Sequence, residues 1–341
     1  MSDTTDRRKN GESADELAIL SQVAHMYYDL HMLQPEIAQK LFFSRSKVSR
    51  MLQKAQDMGI VEINVKRYLT RMPTYEKKIQ ALFGVEKVVV FNNYDDNDVE
   101  DSENGLINYA ANYISNHIKG NCVMGITGSH TVTQIVHQLK HVHDCRLKVV
   151  QTIGATINHD ISVDLVNFLA RTYDGNAYFL NTPVYADDIY VKEALLKDPA
   201  IKKTFALMKN CDLLLMGIGR FDRGGDMPLW DGYLDAHHRQ ELADFGAVGS
   251  ICARYYDING KQVPSEWNKK CITIPWEDIM NAKKRIVIAR GQYKAEGILG
   301  ALRGGLVDVL FTDTTTAAAV MERNNAVEFQ QARRNAYLQR E

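Results

Sequence analysis

Beyond residue 85 the chain repeats one pattern that few folds can satisfy: a short apolar run, a turn, then a longer stretch with apolar residues at helical spacing. The apolar runs fall at 87–91, 122–126, 147–153, 176–180, 211–217, 247–255, 285–289 and 307–311. The helical stretches fall at 104–118, 131–139, 161–173, 187–196, 294–302 and 315–323. Alternation of this kind implies an α/β fold: a largely parallel sheet with helices on both faces. Ligands in such sheets sit beyond the carboxyl ends of the strands.

Two of those strand ends carry chemistry suited to an anion. The run ending at Ile126 continues into Thr127-Gly128-Ser129-His130-Thr131 and then a helix, where backbone N–H groups, hydroxyls and the positive helix end converge. The run ending at Ala289 continues into Arg290-Gly291-Gln292-Tyr293-Lys294, with Lys294 opening a helix. A lysine there opposes the helix dipole, so an anion explains it better than helix stability does. Singly, these features read as a structural turn and a surface lysine; together they suggest a site.

The N-terminal part has a different texture. Apolar residues at three- and four-residue steps predict a first helix over 15–32. Pro35 opens a short second helix with Ile37, small Ala38 and Leu41 facing inward. Ser44 is a natural N-cap for a third helix from Arg45 to Asp57, ended by Gly59. This is the spacing of a helix-turn-helix, whose third helix lies in the major groove. The turn carries Phe42-Phe43 where many such motifs have a glycine. Candidate DNA contacts are Gln34, Ser44, Arg45, Ser46, Lys47, Ser49, Arg50 and Lys54, donors suited to phosphate and guanine acceptors. The alternating run Ile60 to Val65, followed by Lys66 and Arg67, resembles a basic wing, and Lys66 joins the candidates.

Charge supports this division. The whole chain carries 41 basic and 42 acidic side chains, which on its face argues against nucleic acid. Residues 33–71 alone hold eight basic against three acidic side chains, so the near-zero total conceals a basic reader on a mildly acidic remainder. The five cysteines are odd in number and widely spaced, and there is no CxxC, which fits reduced thiols in the cytoplasm and no zinc knuckle. No apolar run is long enough for a membrane span, and 1–13 lacks the apolar stretch of a signal peptide. The expected organisation is a disordered tail over 1–13, a winged helix-turn-helix over 14–71, a linker helix over 72–84, an effector-binding domain over 85–325 and a tail over 326–341.

Several motifs then resemble one family. Gly125-Ile-Thr-Gly-Ser-His-Thr-Val132, Gln151-Thr-Ile-Gly154, Met216-Gly-Ile-Gly219, Gly246-Ala-Val-Gly249, Tyr256-Asp-Ile-Asn-Gly260 and the long segment from Lys294 to Asp313, following a winged helix, are similar to the SorC family of sugar-responsive bacterial transcriptional regulators. The resemblance implies a Rossmann-like second domain akin to glucosamine-6-phosphate deaminase and ribose-5-phosphate isomerase, one that binds a sugar phosphate as effector without converting it. It also implies double-stranded operator DNA as partner, a homotetramer built as a dimer of dimers, and no cofactor or metal. Carried over by residue, Thr127, Gly128, Ser129, His130 and Thr131 with Lys294 would hold the phosphate. Gly125, Gln151, Gly217, Gly219, Asp222 and Ser250 would border the sugar. The chain departs from the family at Ser250, where an acid is common, and at His130, where a smaller or acidic residue is frequent.

The competing class is a sugar-phosphate isomerase or deaminase with an added DNA-binding domain. Such deaminases follow Gly-Ile-Gly with an Asp-Gly-His signature whose histidine moves protons during ring opening. The segment Gly217-Ile-Gly-Arg-Phe-Asp-Arg-Gly-Gly-Asp226 lacks that histidine, leaving Asp222 and Asp226 as solvated loop acids or remnants of a catalytic carboxylate. His137, His141, His143 and Cys145 read as a surface cluster before a metal site, and the acidic run from Asp95 to Asp101 as a solvated loop before a calcium site.

Overall fold

In the computed structural model the described residues are 14–61, 70–93, 99–140, 145–156, 161–220 and 233–338. They divide into two compact units, the first ending at Tyr68 and the second beginning at Leu69.

The first unit holds three helices, α1 (Ala14–Tyr28), α2 (Gln34–Lys40) and α3 (Arg45–Asp57). Their small core consists of Leu20, Val23, Ala24 and Met26 of α1, Ile37 and Ala38 of α2, and Val48, Leu52 and Ala55 of α3. Ser44 caps α3 as the spacing predicts, its Oγ accepting from the Lys47 N–H at 3.2 Å. Pro35 stands in the first turn of α2, where its missing N–H costs nothing. The expected wing over 60–67, including Lys66, lies almost wholly outside the described residues.

The second unit begins with α4 (Pro73–Phe83) and β1 (Lys87–Phe91). The helix expected as a linker is part of this unit's core: Ile79 is buried, and the buried Glu76 carboxylate accepts from Arg71 (2.9 and 2.5 Å) and from the Val90 N–H (3.0 Å). The chain continues through α5 (Val99–Ser115), β2 (Val123–Ile126), α6 (His130–Gln138), β3 (Lys148–Gln151), α7 (Ile161–Thr172) and β4 (Asn176–Tyr178). Then follow α8 (Ile189–Leu195), α9 (Pro199–Met208), β5 (Leu213–Gly217), β6 (Gly219–Arg220), α10 (Ala236–Asp244), β7 (Ala247–Ile251) and β8 (Arg254–Asp257). The last elements are α11 (Glu266–Lys270), α12 (Trp276–Asn281), β9 (Arg285–Ile288), α13 (Ala295–Arg303), β10 (Val309–Asp313) and α14 (Thr314–Leu338). Residues 326–338, expected as a tail, continue α14.

Seven strands form one sheet in the order β1-β10-β9-β5-β2-β3-β4, every pair parallel. Neighbouring residues on a strand face opposite sides, so Val88 and Val90 enter one apolar layer and Val89 and Phe91 the other. Helices α5, α6 and α7 cover the second layer, while α4, α9, α12, α13 and α14 cover the first.

One expected strand is two. The run 247–255 is an antiparallel hairpin, β7 and β8, turning at Cys252 and Ala253 with φ of 48° and 62°. A two-residue turn with both φ positive is normally written with Asn or Gly, so an unbroken apolar run gave no sign of it. With β6, the hairpin makes a separate three-stranded sheet in the order β6-β7-β8.

Candidate functional site

On α3 the core claims Val48, Leu52 and Ala55, which leaves Arg45, Ser46, Lys47, Ser49 and Arg50 exposed on the rest of its circumference. Lys47 Nζ stands 3.9 Å from the centroid of the Phe43 ring, and Arg50 Nε donates to the Ser46 carbonyl at 3.3 Å. Lys54 is ion-paired with Glu16 of α1 at 2.8 Å, so any phosphate role for it competes with that carboxylate. Gln34 is half-buried as the first residue of α2.

The turn between α2 and α3 keeps its geometry without a glycine. The Phe43 N–H donates to Ala38 O at 2.9 Å and the Phe42 N–H to Gln39 O at 3.4 Å, while Phe42 itself takes φ of 56°. This is a Schellman ending with Phe42 in the left-handed position.

In the larger unit the chain reverses its direction of sheet growth between β2 and β5. From β2 the sheet extends to β3 and β4; from β5 it extends the other way to β9 and β10. The carboxyl ends of such a pair diverge and leave a crevice. The loop after β2 enters it: the Thr127 N–H donates to Leu215 O at 3.2 Å, and Ser129 Oγ caps α6 by accepting from the Val132 N–H at 3.3 Å. Among the described residues, no protein acceptor takes the N–H of Gly128, Ser129 or His130. These donors stand at the positive end of α6.

The Thr127 hydroxyl faces inward. Thr152 Oγ1 donates to Ile126 O (2.8 Å), so in the 2.8 Å contact between Thr127 and Thr152 it is Thr127 that donates. The Cys252 thiol, 3.1 Å from Thr127 Oγ1, must then be the donor in that pair. Thr127 therefore spends its hydroxyl proton inside the protein. Burial pushes the Cys252 thiol up to about 11, so it stays protonated at neutral pH. All five cysteines are buried and free.

The other expected positions fall into three groups. Gly217 lies against Ser129, since a Cβ on it would sit 3.4 Å from Ser129 Oγ; Gly219 faces Ser250 in the β6–β7 pairing, and a Cβ there would sit 2.4 Å from Ser250 Oγ. Gly125 and Gln151 serve packing: a Cβ on Gly125 would press on Leu214, Thr152 and Cys211, and the buried Gln151 Oε1 accepts from the Leu180 N–H at 3.1 Å, joining the ends of β3 and β4. Asp222 and Asp226 lie outside the described residues, as do His141, His143 and Asp95 to Asp98. His137 packs its ring on Phe168 at 4.6 Å, and no metal-holding group of His, Cys, Asp or Glu occurs among the described residues.

Lys294 ends a single 3-10 turn (Gln292–Lys294) and is the N-cap residue of α13. Burial, then the nearby Arg220 guanidinium, hold its pKa below the usual lysine range. Both cations lie over the Tyr293 ring, Arg220 Cζ 5.1 Å and Lys294 Nζ 5.9 Å from its centroid. The loop is stapled to α14: Arg290 Nε donates to Asp313 Oδ2 (3.2 Å), Asp313 Oδ1 accepts from the Thr316 N–H (2.8 Å), and the Gly291 N–H donates to Thr316 Oγ1 (2.8 Å). Arg220, directly after Gly217-Ile218-Gly219, adds a second cation that no motif in the sequence marks. Thr152 stood in the sequence only as part of Gln151-Thr-Ile-Gly154, and Cys252 carried no sequence signal.

The glycines of α13 explain most of its motif. A Cβ on Gly249 would meet Gly297 Cα at 2.7 Å, one on Gly300 would meet Asp257 O at 2.6 Å, and one on Gly304 would meet Gly260 Cα at 2.6 Å. The helix thus lies directly on the β7–β8 hairpin, and the Tyr256 hydroxyl donates to Gly297 O at 2.8 Å.

Residues 68–322 match the sequence model of the Sugar-bind family, described as "Putative sugar-binding domain". The chain is 25% identical over 317 residues to the sorbitol operon regulator of Klebsiella pneumoniae, covering 91% of this chain and 100% of that protein. It is 28% identical over 305 residues to the deoxyribonucleoside regulator of Bacillus subtilis (strain 168), covering 88% and 96%. The crystal structure of the full-length Klebsiella pneumoniae sorbitol operon regulator shares the fold, with a TM-score of 0.67 at 23% identity over 90% of this chain and 99% of that one.

Proposed function

The chain belongs to the Sugar-bind family of SorC-type regulators, and from that premise we propose that it is a DNA-binding transcriptional regulator whose operator affinity is set by a sugar phosphate. Two features support the effector half: N–H groups of Gly128, Ser129 and His130 that no described protein acceptor takes at the start of α6, and the half-buried Lys294 after β9 with Arg220 as a second cation. Oriented amides and a cation held at a loss of solvation suit a phosphate dianion. Ser250, buried beside Gly219, is assigned by the resemblance to the sugar's edge.

For DNA, α3 offers Arg45, Ser46, Lys47, Ser49 and Arg50 to a major groove, with Lys66 a further candidate by sequence alone. Dimers paired into a tetramer place two such helices on a palindromic operator. A sugar phosphate shifts the balance between DNA-competent and DNA-weak assemblies by as much as its affinities for the two differ.

A thermal-shift screen of phosphorylated and free sugars tests the reading, with one phosphorylated sugar raising the melting temperature well above the others. Lys294→Ala should abolish that shift and leave DNA affinity intact. Arg50→Ala should weaken operator binding and lower its salt dependence without touching the sugar response. Undiminished sugar-phosphate affinity in the lysine variant removes Lys294 from the site, and turnover of the sugar phosphate moves the protein to the enzyme class.

A further inference from the structure

We propose that Phe42 is an apolar DNA contact that meets thymine methyl groups beside the bases addressed by α3. The inference rests on the DNA-binding reading of that helix.

Helices α2 and α3 end in the same backbone device. At the end of α3 the Ile60 N–H returns to Ala55 O (2.9 Å) and Gly59 takes φ of 71°; at the end of α2 the Phe43 N–H returns to Ala38 O (2.9 Å) and Phe42 takes φ of 56°. The position between is left-handed in both, a conformation that presses a Cβ on the backbone and favours glycine. The unit uses glycine at residue 59 and a bulky aromatic at residue 42.

Folding does not account for that choice. Phe43 packs against the three-helix core and lies under the Lys47 ammonium. Phe42 does neither, and its side chain is 95% exposed. A lone exposed phenylalanine needs no explanation, but one placed where the backbone asks for glycine does.

The surroundings select the partner. Phe42 stands two residues before the Ser44 cap, and Lys40, Arg45, Ser46 and Lys47 around it in sequence are exposed. A wholly apolar protein surface would strip water from those cations without compensation. A DNA edge supplies phosphates for the cations and hydroxyls and, in the major groove, the thymine methyl as the one apolar feature a phenyl ring can read.

The test uses a duplex selected by the full-length protein from a random pool, then copies in which each thymine in turn is replaced by deoxyuridine. Loss of one methyl should weaken the wild type about fourfold at one or two positions. Phe42→Gly should bind the parent duplex roughly fivefold more weakly, ignore those methyl deletions, and melt no lower than wild type. Phe42→Leu should keep the methyl dependence. Parent affinity in Phe42→Gly, or methyl dependence that persists in it, overturns the inference. If Arg50→Ala loses affinity while Phe42→Gly does not, only this inference falls. If the wild type selects no duplex, the DNA reading falls with it.

Discussion

The Cys252 thiol lies 3.1 Å from the Thr127 hydroxyl, so the tip of the β7–β8 hairpin touches the first residue of the loop after β2. Cys252 and Ala253 both have positive φ, and the tip is held there by its surroundings. Trp267 Nε1 donates to Ala253 O (2.8 Å), and the buried Arg254 guanidinium donates to the carbonyls of Ile274, Asn268 and Thr273. Strain of this kind persists only where the environment over-determines it.

A first prediction follows at Cys252. Cys252→Val adds a β-branch to a left-handed residue and removes the donor to Thr127, which should cost about 2–3 kcal/mol. Cys252→Ser keeps the donor and should cost about 1 kcal/mol. Calorimetric melting of the two variants checks the order, and a serine variant no more stable than the valine one would count against it.

At Gly300 two effects oppose each other. Alanine in a helix interior normally gains about 1 kcal/mol over glycine, but a Cβ here would lie 2.6 Å from Asp257 O, a backbone atom with little room to move. Overpacking costs about 1–3 kcal/mol, so Gly300→Ala should be destabilising on balance. Denaturant unfolding reads the sign directly.

Removing the Glu76 carboxylate leaves the Val90 N–H and the Arg71 guanidinium without their acceptor. Arg71 is 40% exposed and can turn to water, which discounts the ion pair. The buried amide cannot, so Glu76→Ala should cost about 2 kcal/mol, read as a lower urea midpoint.

The proposed anion site carries a pH dependence that Lys294 makes specific. Its pKa in the folded protein lies below the 10.5 of a free lysine, through burial first and Arg220 second. Between that lowered value and 10.5 the unfolded chain binds more protons, so the lysine's contribution to stability rises with pH. An anion needs the charged form, so affinity for inorganic phosphate should fall as pH rises through the same window. Lys294→Ala should flatten that alkaline decline when phosphate binding is followed by titration calorimetry, and an unchanged decline would assign it elsewhere.

Much of the fold is legible residue by residue. The run from Lys87 to Phe91 is a strand because neither face of the sheet meets water, and Ser44 caps α3 because its side chain reaches the Lys47 amide three residues on. The first helix stops at Tyr28, short of its apolar periodicity: the chain turns through left-handed His31 and returns the Met32 N–H to Met26 O. The short helices α10, α11 and α12 escaped because each buries a single apolar residue, Leu242, Trp267 and Ile279, which sets no period, whereas α9 carries Ile201, Phe205 and Met208 at helical spacing and was legible.

The candidate site divides the same way. The loop at Thr127 and the lysine at 294 stand out because glycines, hydroxyls and charges are conspicuous in a sequence. That Gly125 and Gln151 serve packing, that Arg220 joins Lys294 around Tyr293, and that Thr127 gives its proton inward depend on strands brought together from distant parts of the chain. By itself the sequence determined what local forces decide: apolar runs, helix caps and a basic third helix. The tertiary structure alone decided which distant groups share a crevice and which way each hydroxyl proton points, because strand order, not spacing along the chain, sets those distances.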